Sequence, residues 1–369
     1  MKVTLLRYPR TSSRIKPTKV IGMSSSVSFK DFTEKIWKLP QEYLDELRRS
    51  AESFYDEPDW CDYDPMGMYI IGLLRHACSG DNLRHFYQQL LALPGETCAA
   101  FGFEKIPAYS TLAHFFNTRT AQRASELVDK GRELLEQLCA KTRRVLGRVR
   151  STDGKKVEST HREAVFNPHY KTTLYKGLID WDLELLVPLK AGFANGVADE
   201  RPFARESSKC LEHLRTELEV LDGGYYGFEE YAKKNTQHYT LIYFPADENG
   251  SPNPEHDLLA EYRDYWKSDE YDIGADTPAQ LKFLLAKGER GINAVGRYYR
   301  DCQIRESKEH PGEYETKKHR RSLVETGNSL LDNRGLASRV RHASYKQAER
   351  DLYWTCHVLQ IQKIMKIVG

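Results

Sequence analysis

Apolar positions in the first third of the chain recur at helical spacing. Leu127, Leu134, Leu135, Leu138, Val145 and Leu146 fall on one helix face. Pro65-Met66 opens another apolar segment through Tyr69, Ile70, Leu73 and Leu74, closed by Gly80-Asp81. Residues 107–116 predict a turn, a Ser/Thr cap and a short helix. The pattern is helical from Asp31 to about Leu146, and after Arg148 the period changes. Residues 148–153 alternate and meet Gly154, which predicts a strand ending in a turn. Residues 172–180 and 183–191 read as two more strands joined at 180–182. An amphipathic helix over 203–218 precedes a short strand, 217–221, that delivers Asp222 to a Gly223-Gly224 turn. A helix from about Tyr225 and a strand over 238–244 follow. A polar stretch over 247–311 carries helical patches near 255–266 and 278–287, and helices return over 320–333 and 345–368. A helical start followed by strands interleaved with helices predicts an α/β protein.

Composition narrows the class. The chain has 369 residues, 40% of them hydrophobic, and is long enough for a substantial core. No apolar run approaches the ~18 residues of a membrane span, so no membrane partner is expected. Seven cysteines, widely spread and without a CxxC pair, fit a reducing compartment better than a disulfide framework. The net charge of +2 conceals three basic blocks. Residues 1–30 hold seven Lys/Arg and no acid; residues 141–150 hold Lys141, Arg143, Arg144, Arg148 and Arg150; residues 317–369 hold eleven Lys/Arg against four acids. Such blocks in a near-neutral chain are the footprint of a polyanion binder.

Three acids stand out. Asp153 and Asp222 each follow a short β-like run and precede glycine, the address at which α/β sheets present side chains to ligands. Two carboxylates at adjacent strand ends repel unless a cation lies between them, and oxygen ligands of this kind suit Mg²⁺. Each is equally an ordinary Asp-Gly turn residue. Glu325 lies on a predicted helix beside Leu323-Val324, with Arg321 four residues earlier on the same face, an arrangement that also describes a surface ion pair.

Several motifs together resemble the DDE transposases of prokaryotic insertion sequences, over most of residues 60–365. Tyr63-Asp64-Pro65, Gly80-Asp81-Asn82-Leu83-Arg84 and Ile106-Pro107-Ala108-Tyr109-Ser110-Thr111-Leu112 are similar to that family's N-terminal helical part. Ser151-Thr152-Asp153-Gly154 resembles its first-aspartate strand, Leu221-Asp222-Gly223-Gly224-Tyr225 its second-aspartate motif, and Arg321-Ser322-Leu323-Val324-Glu325 its R-x-x-x-E helix. The resemblance implies an N-terminal all-α domain followed by a ribonuclease-H-like mixed sheet flanked by helices. The expected division is a flexible basic arm over 1–30, a helical DNA-binding and dimerisation domain over 31–147 and a catalytic domain over 148–369, with an insertion at about 246–318. It further implies Asp153, Asp222 and Glu325 as catalytic ligands of two Mg²⁺ ions, with Mn²⁺ able to substitute and Asp153 bridging. The partner would be double-stranded DNA, both transposon ends and target, bound by a homodimer in the cytoplasm at the nucleoid. Arg143, Arg144, Arg148, Arg321 and Arg334 are the candidate phosphate contacts. Where related chains place a Tyr before the Arg and a Lys after the Glu, this one has Lys318 and Asp332. Asp199 is a candidate further acid, or a helix cap. No H-x-x-R element supports a tyrosine recombinase, and no Cys/His spacing supports a zinc module. A transposase-derived DNA binder without catalysis is the main alternative, and a nuclease without strand transfer is another.

Overall fold

The computed structural model describes residues 29–54, 63–78, 83–93, 95–120, 123–235, 238–244 and 288–368. The basic arm up to residue 28, Gly80-Asp81 and the helical patches near 255–266 and 278–287 lie outside the described residues.

The helical pattern resolves into α1 (Phe29–Trp37), α2 (Gln41–Glu52), α3 (Pro65–Cys78), α4 (Leu83–Leu91), α5 (Gly95–Ala100), α6 (Tyr109–His114) and α7 (Ala124–Lys141). Two expectations change here. The residue capping α6 is Ala108, with no side-chain cap. Helix α7 stops at Lys141, so Val145 leaves the apolar stripe and is exposed.

The strands are β1 (Val149–Glu158), β2 (Val165–Asn167), β3 (Thr172–Asp182), β4 (Val187–Asn195), β5 (Leu218–Leu221) and β6 (Tyr239–Ile242). They form one mixed sheet. β1 runs antiparallel to β3 and parallel to β5, which is parallel to β6; β2 and β4 both pair with β3. The Asp153-Gly154 turn is corrected: β1 continues through both residues, and Asp153 pairs with Ile179. The expected joint at 180–182 also lies within β3, and the chain reverses at 183–186, where Leu186 takes a positive φ of 54°. Between the later strands come α8 (Arg201–Cys210) and α9 (Phe228–Asn235); α8 ends well short of Leu218. The chain finishes with α10 (Glu289–Glu309), α11 (Pro311–Lys318), α12 (Ser322–Asn333), α13 (Leu336–Val340) and α14 (Tyr345–Val368).

Helix α14 joins the two halves of the molecule. Every residue from Arg350 to Ile361 is buried, so the helix shows no solvent stripe, the pattern of an element enclosed on all sides. Trp354, Val358 and Ile361 share a core with α1–α4 and α7, while Leu352, Cys356 and Leu359 pack with β1, β3 and α12. Gln360 donates to the carbonyls of Val128 in α7 and Pro188 in β4, both at 2.9 Å. Gly131 permits this approach, since a Cβ there would lie 2.0 Å from the Gln360 amide oxygen. No helix among the described residues is long and apolar enough to cross a membrane.

The sheet is unusually polar inside. Arg150, 1% exposed, donates to Asp180 at 3.1 and 2.5 Å, and Thr152 and Ser207 also reach that carboxylate. At the end of β3, the buried Asp182 accepts the backbone N–H groups of Gly147, Glu184 and Leu185 at 2.6–2.8 Å. It thereby ties the start of β1 to the β3–β4 reversal. Replacing Asp182 by Ala strands three buried donors, each worth ~1 kcal/mol or more. Urea unfolding at pH ~4, where this carboxyl is protonated because burial pushes it up to about 6, should therefore show a loss of about 3 kcal/mol; a loss within ~0.5 kcal/mol would mean that the loop re-forms without this anchor.

Candidate active site

β1 carries Asp153 to the centre of the sheet, and the parallel register delivers its neighbour. Val149 pairs with Leu218 and Arg150 with Glu219, and the Ser151 hydroxyl donates to the Val220 carbonyl at 2.5 Å. Continued one step at a time, that register brings Asp153 level with Asp222, just past β5. Asp222 accepts the Gly224 N–H at 2.9 Å and so caps the short 3₁₀ turn Gly223–Tyr225. A third element crosses this edge. Arg321 ends a 3₁₀ turn, His319–Arg321, and α12 follows directly. Arg321, Glu325, Asn328 and Asp332 recur at helical spacing and face β1, while Val324 and Leu331 pack into the core around Trp181.

The three acids meet on one guanidinium. Arg321 Nη2 lies 2.6 Å from Asp153 Oδ1 and 3.6 Å from Asp222 Oδ2, and Nη1 lies 3.7 Å from Glu325 Oε1. Asn328 donates to the other Asp153 oxygen at 2.8 Å. Exposure rises across the set: the Asp153 side chain is 9% exposed, that of Asp222 40% and that of Glu325 73%. Two buried atoms, Arg321 Nε and the Asn328 amide oxygen, have no hydrogen-bond partner among the described residues. Asp332 pairs with Lys155 at 2.8 Å and fastens the end of α12 to β1.

A fourth acid, Glu200, stands out only in the fold. It immediately precedes α8, receives the Tyr225 hydroxyl at 3.0 Å and pairs with Lys176 at 3.0 Å. It lies against Gly154, where an added Cβ would approach its carboxylate to 2.1 Å. The glycine after Asp153 is therefore a matter of space, not of turning. Asp199 instead pairs with Arg201 and accepts its N–H, a local capping role. Which of two adjacent acids turns inward depends on where α8 begins, and composition carries no signal of that.

Burial pushes the Asp153 carboxyl up to about 6, against the pull of Arg321 and Asn328 and with help from Glu200 and Asp222. Tyr225 is raised far above its usual value, chiefly by burial and then by Glu200. All donors at this edge are oxygens, the chemistry that suits a hard cation such as Mg²⁺. Yet among the described residues no three Asp, Glu, His or Cys side chains stand as a ready cation cluster. The guanidinium of Arg321 stands among the carboxylates, and a metal ion would have to take its place.

The candidate phosphate contacts divide. Arg143 and Arg144 are exposed just after α7. Arg148 instead makes a two-pronged pair with Glu184 at 2.9 and 2.6 Å, and the buried Arg334 donates to Gln362 at 2.8 Å. Arg321 is turned into the acids. These three are engaged within the protein, each beside a neighbour that supplies an acceptor.

No family model matches the sequence, and no curated protein does. Among solved structures, the chain is similar to a piggyBac transposase synaptic complex with hairpin DNA, at 10% identity and a TM-score of 0.30 over 92% of this chain and 81% of that one. It is also similar to the Mos1 mariner paired end complex with Mn, at 13% identity and a TM-score of 0.19 over 61% of this chain and 77% of that one. Scores this low leave both as remote likenesses.

An acid whose pKa is raised by folding contributes most to stability when protonated. That contribution is full below its ordinary value of 3.8 and is lost as pH climbs through about 6. Asp153→Asn removes the ionisation, and the new amide can donate to the orphaned Asn328 oxygen. The variant should be more stable than the wild type at pH ~7.5, by on the order of 2 kcal/mol, with the difference vanishing near pH ~4. Urea unfolding in chelator at both pH values checks this; a variant less stable at neutral pH would mean that the Arg321 pair outweighs burial.

Proposed function

We propose that the protein is a DDE-type transposase: it cuts transposon ends and joins the freed 3′-OH to target DNA from a ribonuclease-H-like core. The observation that carries this reading is the convergence of Asp153, Asp222 and Glu325, from three elements distant in sequence, on one cationic group. The mixed sheet flanked by helices supports the core assignment. Asp153, Asp222 and Glu325 would hold two Mg²⁺ ions, with Mn²⁺ as a substitute. When bound, such ions supply an activated attacking oxygen and charge stabilisation of the leaving one at an in-line phosphoryl displacement.

The chain's own residues do the rest. Asn328 orients Asp153 from the protein side. Tyr225 and Glu200 hold the Asp222 turn against β1. Arg321, once released from the carboxylates, remains beside them with a planar fork that matches phosphate oxygens. Arg143 and Arg144 provide sequence-independent phosphate contacts farther out. A homodimer on double-stranded DNA at the nucleoid belongs to the same proposal. One feature favours a second reading, a DNA binder without catalysis: Arg321 already neutralises the acids.

Incubation with labelled element ends and Mg²⁺ or Mn²⁺ separates the two. Wild type should nick and join, and Asp153→Asn should lose both by several orders of magnitude while still binding DNA ends. Nicking that survives the substitution refutes Asp153 as a ligand; no nicking by wild type in either metal leaves the silent binder. In a salt titration, Arg143→Ala with Arg144→Ala should flatten the slope of log K against log salt by about 0.9 for each phosphate no longer neutralised. An unchanged slope would remove these arginines from the interface.

A further inference from the structure

We infer that the segment between β1 and β3, residues 159–171, is a platform that stacks unpaired nucleobases of single-stranded DNA. Among the described residues the exposed large apolar side chains are few, and four of them gather here: Val165 (36% exposed), Phe166 (55%) and Tyr170 (46%) on and beside β2, and Val197 (54%) just past β4. The Asn167 side chain links the two groups by donating to the Gly196 carbonyl at 2.6 Å. Two of the four are aromatic faces, and neither is needed by the core.

Cations surround these rings. Lys156 lies 5.3 Å above the Tyr170 ring, and His169 packs edge-on against it at 4.7 Å. Arg162, Lys171, Arg341 and His342 are all exposed on the same edge. His342 meets the Thr160 hydroxyl at 2.6 Å, so the end of α13 adjoins the segment. The two acids nearby are occupied: Glu158 pairs with Lys156 at 2.8 Å, and Glu163 accepts the Tyr345 N–H at 2.7 Å. Aromatic faces set among positive charges are what single strands require, since every base has a π-face and every phosphate a negative charge.

The backbone of the platform is tied to its neighbours. Asn167 accepts the N–H groups of His169 and Tyr170 at 2.9 and 3.2 Å, and the Arg341 carbonyl accepts the Thr160 N–H at 2.8 Å. A backbone held in place loses little freedom on binding. A protein partner adding a strand fits poorly, because the edge strand β2 is only three residues long. The surface extends the proposed function by naming the form of DNA that this edge takes, but the binding does not require cleavage.

The test measures binding of the full chain to a short labelled oligothymidylate, and to a duplex of equal length, by fluorescence anisotropy in chelator. Phe166→Ala with Tyr170→Ala should weaken oligothymidylate binding about a hundredfold, roughly tenfold per ring, and duplex binding only a few-fold. Thermal stability should stay unchanged, because both rings are exposed; Tyr170→Phe should bind as wild type does. Unchanged oligothymidylate affinity in the double variant overturns the inference. So does an altered mass in sedimentation with affinity intact, which would assign the patch to self-association. A wild type that fails to nick leaves this measurement intact, so the two readings fail separately.

Discussion

Carboxylates gathered at one partly buried edge repel unless a cation stands among them, and here that cation is Arg321. Its guanidinium reaches acids from β1, from the turn after β5 and from α12. Because each acid rides on a different element, the contact also sets how α12 lies across the sheet. The Lys155–Asp332 pair repeats the arrangement one strand step further along, again joining β1 to α12. The polar stripe of α12 thus answers the polar face of β1, and the apolar stripe of the same helix is left to fill the space around Trp181.

The same logic governs the opposite face of β1. Arg150 and Thr152 meet Asp180, and Gly154 leaves the room that Glu200 occupies beside Tyr225. A central strand with charged residues on both faces is tolerated because nearly every buried charge has a fixed partner. Asp153 has partners and still sits near a carboxyl value of about 6, as the buried Asp182 of β3 also does. Groups perturbed by burial at the meeting point of several elements are where chemistry is usually done.

Helix α14 explains why the halves of the molecule do not stand apart. It is buried on all sides, with one flank in the core of the N-terminal helices and another against the sheet. Gln360, reaching both α7 and β4, makes the last helix a shared brace between the helical part and the sheet.

Local patterns sufficed for much of this. Helical spacing located α3, α7, α12 and α14, alternation located β1 and β3, and Asp153, Asp222 and Glu325 were each legible as acids beside short periodic runs. Side-chain period is a local property, so a single chain displays it. What the pattern misjudged were the ends: Asp153-Gly154 resembles a turn by residue type, yet pairing with β3 carries the strand through it. Glycine there answers to Glu200, a residue 46 positions later. Likewise, Arg148, Arg321 and Arg334 look alike as basic residues, and only their neighbours in space determine that each is engaged internally while Arg143 and Arg144 face solvent. Residue type and period depend on near neighbours in the chain and were fixed by sequence; strand register, the inward turn of Glu200 and the closure of Arg321 on three acids depend on contacts between distant segments, and packing alone decided them.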